Sequence, residues 1–228
     1  MSAANVPAES KTVVIHSGPL SMFGAKAEMA AIEKGIVWKR EFVPFSLAKF
    51  YEPTSSEVLR INPKRQVPVL VAGDLEIFDS TQIFEYLEDL QPDPALWPTD
   101  RDERARARLL ELKSDEVFFP DVANCMPHRK ARLGEGGYEA AVVRIHEYFV
   151  EMDSLLEDSQ HLVREFSYAD IAFYAAQFFA RFLGQPPSPE LHHLESWRQT
   201  MTGRESVQRV MGEMARYLTT ETGTEVAL

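Results

Sequence analysis

Gln66-Val67-Pro68-Val69-Leu70 decides how this 228-residue chain folds. Val67, Val69 and Leu70 favour a pleated strand, but Pro68 has no N–H for a sheet ladder and does not belong inside a central strand. The conflict disappears if the proline starts a strand, lies on an edge or follows a sharp turn. A cis Val67–Pro68 bond also removes it, by turning the Val67 N–H and C=O toward a groove. Upstream, Asn62-Pro63 supplies a turn. Downstream, Gly73-Asp74 joins residues 67–71 to 75–78 as an antiparallel hairpin, and Asp79-Ser80 opens a helix.

Toward the N-terminus, residues 12–16 (TVVIH) form a short continuous apolar run, the mark of a strand buried on both faces. Ser17-Gly18-Pro19 ends it. From Phe23 the alanine-rich pattern predicts a helix closed by Gly35. Residues 37–43 (VWKREFV) read as a second strand, so strand, helix and strand give a right-handed crossover between parallel neighbours. Residues 46–61 carry a weaker helical pattern interrupted by Pro53. An amphipathic helix fills 79–90.

Beyond residue 90 no strand signal remains. Residues 91–99 (QPDPALWPT) hold three prolines and read as a linker, pinned to a domain surface by Leu96 and Trp97. Helical patterns follow at 100–124 (interrupted near Pro120), 138–156, 167–183, 191–202 and 204–219. Residues 220–228 carry no periodicity and are expected to lack order. The fold class is therefore α/β plus all-α: a βαβ-ββα module over 12–90, a linker over 91–99 and a helical domain over 100–219.

Composition narrows the functions. The net charge of −11 argues against general nucleic-acid binding and against an anionic membrane surface. Residues 101–116 balance five basic against five acidic side chains, a solvated face and not a basic stripe. The single cysteine, Cys125, excludes an internal disulfide and a CxxC centre and fits a reducing compartment. The first eleven residues have no apolar stretch of the signal-peptide kind, and the apolar run near 171–182 is broken by Gln177 and Arg181. A cytoplasmic protein is expected.

Several motifs in order resemble the cytosolic glutathione transferases. Ser21-Met22-Phe23, then Lys26 and Glu33-Lys34-Gly35, is similar to the S-P-F-x-x-K-V…E-K-G opening of that family, with Met22 replacing proline. Asn62-Pro63-Lys64-Arg65-Gln66-Val67-Pro68-Val69-Leu70 resembles its N-P-x-x-x-V-P-x-L segment. Asp79-Ser80 resembles its E/D-S pair, and Ser167-Tyr168-Ala169-Asp170-Ile171 its S/T-x-A-D-I box. The resemblance spans about residues 12–218. It implies a thioredoxin-like N-terminal domain with a mixed four-stranded sheet, a cis Pro68, an all-helical second domain that binds an electrophile, a homodimer and a role in detoxification. The Ser167 box also reads as plain helix capping, with Asp170 capping back and Phe166 stapling onto Ile171.

The implied chemistry assigns roles to particular residues. Glutathione, as co-substrate, offers backbone partners to a strand edge at Val67 and Pro68. Its γ-glutamyl carboxylate suits the helix start at Ser80, with Gln66 and Asp79 nearby. Asp79-Ser80 can equally serve as a simple N-cap. An unperturbed thiol has a pKa near 8.5, so attack needs a group that favours the thiolate. A hydroxyl donor at a helix N-terminus does this, and Ser21 is the expected catalytic residue. Ser17, four residues earlier, competes as a turn residue or as the activator itself. No metal site is expected, since His192-His193 lacks a ligand spacing. The expected partner is a small hydrophobic electrophile, with ether cleavage a possible variant of thioether formation. Its pocket is expected between the modules, near residues 20–23 and Phe118, Phe119, Asn124, Cys125 and His128. The alternative is a non-enzymatic regulator on the same scaffold, resembling stringent starvation protein A.

Overall fold

A computed structural model describes residues 12–46, 49–51 and 54–228. Its α/β part runs β1 (Val13–Ser17), α1 (Met22–Glu33), β2 (Trp38–Phe42), α2 (Ser56–Ile61), β3 (Val69–Ala72), β4 (Leu75–Phe78) and α3 (Ser80–Leu90). The strands form one mixed sheet in the order β2-β1-β3-β4. β1 pairs parallel to β2 and antiparallel to β3, and β3 pairs antiparallel to β4. β1 is therefore internal, which explains its unbroken apolar run. This is the thioredoxin-like arrangement. The helical pattern over 46–61 survives only in α2; Ser46 and Phe50 instead form an isolated bridge, and 47–48 and 52–53 lie outside the described residues.

α1 is the hub between the two parts. Its small side chains, Ala25, Ala27, Ala30 and Ala31, are buried and let it pack against α3 and two helices of the second part. Gly35, at φ +63, ends it in the left-handed region where a Cβ is disfavoured. The linker is pinned as its apolar residues suggest. Leu96 and Trp97 are buried, and the Glu88 carboxylate accepts from both their N–H groups while also pairing with Lys34.

The second part holds α4 (Arg101–Lys113), α5 (Phe119–Asn124), α6 (Pro127–Leu155), α7 (Tyr168–Phe182), α8 (His192–Thr202) and α9 (Glu205–Thr222). α4 and α5 are joined by a π-helical segment, Ser114–Phe118, so the expected interruption is a widened turn. Pro120 lies in the first turn of α5, where a missing N–H costs least. α6 begins eleven residues before the expected 138. Within it only Gly134 (φ 74) leaves helical geometry. α7 is buried along residues 168–180 and carries the aromatic core of this part.

Residues 220–228 correct the expectation of a disordered tail. α9 continues to Thr222, Gly223 turns left-handed, and the Val226 N–H donates to Thr219 Oγ1 at 3.0 Å. Arg198 holds the Leu228 carbonyl at 2.8 Å, and Val226 and Leu228 pack on the core. These contacts are made across sequence, so local periodicity carries no trace of them. One continuous apolar core spans both parts. Ionic contacts stitch them together: Arg204 to Glu33, Arg40 to both Glu28 and Glu213, and Lys26 to both Glu111 and Asp115.

Candidate functional site

The Val67–Pro68 peptide is cis. Pro68 thus precedes β3 and costs the ladder nothing. The turn before it is built by Asn62, which is almost fully buried. Its side-chain amide donates to the Gln66 carbonyl at 2.6 Å, and its Oδ1 accepts from the Lys64 N–H at 2.9 Å. Asn62 therefore holds the loop that presents Gln66 and Val67. Val67 lies outside the ladder, and its own backbone makes no hydrogen bond among the described residues.

α3 starts beside this loop. Asp79 is its N-cap: Oδ1 accepts from the N–H groups of Thr81 (3.1 Å) and Gln82 (3.4 Å), and Oδ2 lies 3.8 Å from Lys64 Nζ. Its backbone sits at φ 78, a conformation that costs a non-glycine residue on the order of 1–3 kcal/mol. Ser80 is buried, and its carbonyl accepts from the Tyr168 hydroxyl at 3.2 Å. The S-x-A-D box therefore anchors the start of α3. Asp170 in turn accepts from the N–H of Ser167 (2.9 Å), the N–H of Leu162 (3.0 Å) and the Trp197 indole (2.8 Å). The box caps its own helix, as its sequence reads, and also ties α7 to α8.

Gln66, Val67, Pro68, Asp79 and Ser80 line one cavity of about 330 Å³. Phe23 and Phe78 add apolar surface, and the helical wall is Glu111, Leu112, Asp115 and Glu116. The structure thus brings five of the six sequence-predicted site residues together. Ser21 is not on that wall. It lies two residues before Phe23, 6% exposed, as the N-cap of α1, and its Oγ accepts from the Gly24 N–H at 2.9 Å. A hydroxyl that accepts from the backbone keeps its own proton to donate. Ser17 is fully buried at the end of β1, and its Oγ has no hydrogen-bond partner among the described residues. A Cβ on Gly24 would fall 2.2 Å from that oxygen, so α1 can lie over Ser17 only because residue 24 is glycine. Tyr51 covers the same loop, accepting from the Leu20 N–H at 3.3 Å. Burial raises its phenol well above the usual range.

The other sequence candidates lie elsewhere. Phe118 stacks on Tyr148 in the core, Phe119 meets Phe23 edge-on, Cys125 is buried, and His128 packs on Phe50. None of these, nor Asn124, lines the cavity. The helical wall comes from an earlier stretch, because the π-helical segment turns Asp115 toward α1. There Lys26, with no exposed surface, donates to Glu111 Oε1 at 2.7 Å and to Asp115 Oδ2 at 2.5 Å. Glu111 also accepts from Thr81 Oγ1 at 2.6 Å. Burial alone would lower the Lys26 pKa, but the two carboxylates outweigh it and hold it above the ordinary value. Burial raises the Asp115 carboxyl to about 6; Lys26 pulls it down and Glu111 pushes it back up. One ammonium between two carboxylates neutralises only one of them, which keeps Lys26 charged and leaves burial free to raise Asp115. Sequence reading placed Asn62 in a turn without a role in the site, and it missed Glu111 and Asp115, whose run at 101–116 it read only as balanced in charge.

Comparison with known proteins gives this arrangement a family. The family model for the glutathione S-transferase N-terminal domain matches residues 20–90, and that for its C-terminal domain matches residues 126–205. The chain belongs to the glutathione S-transferase family. Among curated relatives of this transferase-family chain, a stringent starvation protein A homolog of Coxiella burnetii is 31% identical over 107 residues, which is 47% of this chain and 48% of that protein. The chain spans about half the length of this relative, 39% of a Histophilus somni homolog and 70% of one from Haemophilus ducreyi. Glutathione S-transferase U26 of Arabidopsis thaliana is 27% identical over 87% of this chain and 88% of its own. Among solved structures, the theta class glutathione S-transferase of Xanthomonas axonopodis pv. citri, with glutathione bound, is 25% identical. It superposes with a TM-score of 0.72 over 88% of this chain and 97% of its own. FzlA from C. crescentus shares the fold at a TM-score of 0.76 and 23% identity, over 88% of this chain and 92% of its own.

Proposed function

We propose that the chain is a glutathione S-transferase whose tripeptide binds in the cavity between the Gln66–Pro68 turn and the start of α3. The observation that carries this reading is that Gln66, Val67, Pro68, Asp79 and Ser80 line one cavity. Val67, outside the ladder, offers its N–H and C=O to the cysteinyl unit as a strand edge does. Ser80 and the free N–H groups of α3 suit the γ-glutamyl carboxylate, with Gln66 at the same end. The uncapped Oδ2 of Asp79 suits the ammonium.

Ser21 is the proposed catalytic residue, its hydroxyl donating a hydrogen bond that stabilises the thiolate at the positive end of α1. The thiolate sulfur bonds to an electrophilic carbon, and the leaving group departs with its electron pair. Where the carbon is a conjugated alkene, the displaced pair takes a proton instead. A serine at this position forms no mixed disulfide, so thioether formation is the reaction, with aryl ether cleavage as a variant. We place domain roles with it, tripeptide in 12–90 and electrophile against 100–219, joined by the linker at 91–99. A cytoplasmic, detoxifying homodimer completes the reading, with α3 and the α4–α5 stretch of two copies in contact. Leu90, Leu109 and Val117 are exposed along those helices.

The second reading, a regulator without transferase activity, is favoured by the stringent starvation protein A homologs and by the absence of Ser21 from the cavity wall. Ultraviolet thiolate absorbance during glutathione titration separates the two. A saturable signal that disappears in Ser21→Ala supports the transferase. Survival of the signal in Ser21→Ala moves the activating role to Ser17 or a backbone amide. No signal together with no calorimetric binding of glutathione refutes the transferase reading and leaves the regulator.

A further inference from the structure

Between β1 and α1 the chain passes through Gly18, Pro19 and Leu20 before it reaches Ser21. Among the described residues, these three make one hydrogen bond to another part of the chain: the Leu20 N–H donates to Tyr51 Oη at 3.3 Å. Tyr51 comes so close that a Cβ on Gly18 would fall 2.3 Å from its ring and 2.9 Å from its oxygen. It also packs on the cluster of Val43, Val58, Val67 and Val69. One side chain therefore spans from the turn that presents Val67 to the residue before Ser21. Phe45 meets Tyr51 edge-on at 4.9 Å, and Tyr217 of α9 donates its hydroxyl to the Phe45 carbonyl at 3.0 Å. An aromatic packed in this way has little rotamer freedom left, so the oxygen that holds the Leu20 N–H is itself fixed. Burial raises the phenol above its ordinary value, so Tyr51 holds the loop as a neutral hydroxyl.

We infer that Tyr51 is a positioning residue for Ser21: through the Leu20 N–H and the Gly18 contact it sets where the Ser21 hydroxyl meets a thiol held at the Val67 turn. A hydrogen bond to a thiolate depends on direction, so a loop that swings loses the stabilisation without losing the serine. The role of Ser21 rests on the transferase reading, whereas the hold on the loop stands on the contacts themselves.

The test is Tyr51→Phe in the full chain, which keeps the ring and removes only the oxygen. Two quantities are read: amide hydrogen exchange at Leu20, and the pKa of bound glutathione from thiolate absorbance across the range in which a thiol titrates. Leu20 exchange is expected to quicken about tenfold, as for the loss of one hydrogen bond of ordinary net strength. The bound thiol pKa is expected to rise by at least about half a unit. Binding of S-methylglutathione, which has no thiol, is expected to be unchanged, because Tyr51 does not line the cavity. Tyr217→Phe removes a hydroxyl from the same aromatic cluster without touching Leu20, and leaves both quantities where they are. In a Ser21→Ala background, Tyr51→Phe moves the thiol pKa no further. Unchanged Leu20 exchange or an unchanged thiol pKa in Tyr51→Phe overturns the inference, as does an equal shift in Tyr217→Phe. A full additional shift in Ser21→Ala also overturns it, because the phenol then acts on the sulfur itself. If the wild-type chain gives no thiolate signal and binds no S-methylglutathione, the transferase reading falls, and Leu20 exchange alone decides the hold on the loop.

Discussion

Replacing Lys26 by methionine tests how the two parts of the molecule are held around the cavity. Lys26 has no exposed surface and is shared between Glu111 at 2.7 Å and Asp115 at 2.5 Å, both nearly buried. Methionine is close in length and fills most of the space, so little of the effect comes from a void. What remains is two carboxylates without their cation, and breaking a buried ion pair in this way costs about 3–5 kcal/mol. For a chain of this size that corresponds to a fall in Tm of roughly 6–20 °C. The pH dependence is diagnostic. Asp115 titrates near 6 in the folded chain, above its unfolded value of 3.8, so its favourable contribution is complete below 3.8 and is lost as pH rises through about 6. Removing the cation raises that carboxyl further, so the Lys26→Met penalty is larger at pH 7.5 than at pH 5. Urea unfolding at the two pH values measures it, and Lys26→Met/Glu111→Gln/Asp115→Asn recovers most of the loss. A loss below about 1 kcal/mol at pH 7.5, or one equally large at pH 5, refutes the ion-cluster account.

Gly24→Ala places a Cβ 2.2 Å from the buried Ser17 oxygen, and a short side chain with no exposed surface cannot retreat. It is expected to lose roughly 1–3 kcal/mol despite alanine's better helix propensity, and a neutral urea midpoint contradicts this. Asp170→Ala leaves the Ser167 and Leu162 N–H groups and the Trp197 indole without their acceptor, for a loss of about 3 kcal/mol or more. The accompanying change in Trp197 near-ultraviolet dichroism distinguishes it from a surface effect. In Glu33, burial raises the carboxyl, but hydrogen bonds from Arg204 and Ser206 outweigh it and hold the pKa below 4.5. Its stabilisation is therefore present above the unfolded value near 4.5 and lost as pH falls through the lower folded one. The difference in Tm between wild type and Glu33→Gln should shrink on acidification below pH 4.5, and a constant difference counts against the Arg204 pairing.

How far the sequence reached depends on whether a feature is local. The β1 run, the alanine-rich α1, the Gly73-Asp74 hairpin and the Asp79 cap are each encoded within a few consecutive residues, and they stand in the structure within a residue or two of where they read. So are the Ser167–Asp170 cap and the turn into Pro68. The five residues that share the cavity could be named from sequence because two short motifs carry them, each at the end of a regular element. Where contacts are made at a distance, reading fell short: the first part of α6 was not read, and the tail owes part of its order to Arg198, 30 residues before Leu228 in the chain.

By itself, then, the sequence determined the order of elements and the residues at the strand and helix ends. These follow from backbone sterics and capping, which act between near neighbours. Only the tertiary structure decided that Ser21 lies off the cavity wall and that Glu111 and Asp115 close the site over a buried Lys26. Those outcomes depend on where α1 lies between the sheet and the helices of the second part. Its place is set by a glycine packed on Ser17 of β1 and by an ion cluster that ties Lys26 to residues of α4 and the π-helical segment 85 and 89 residues away in sequence. No periodicity within either helix records that distance, because the burial that makes the pairing necessary exists only once both helices are in place.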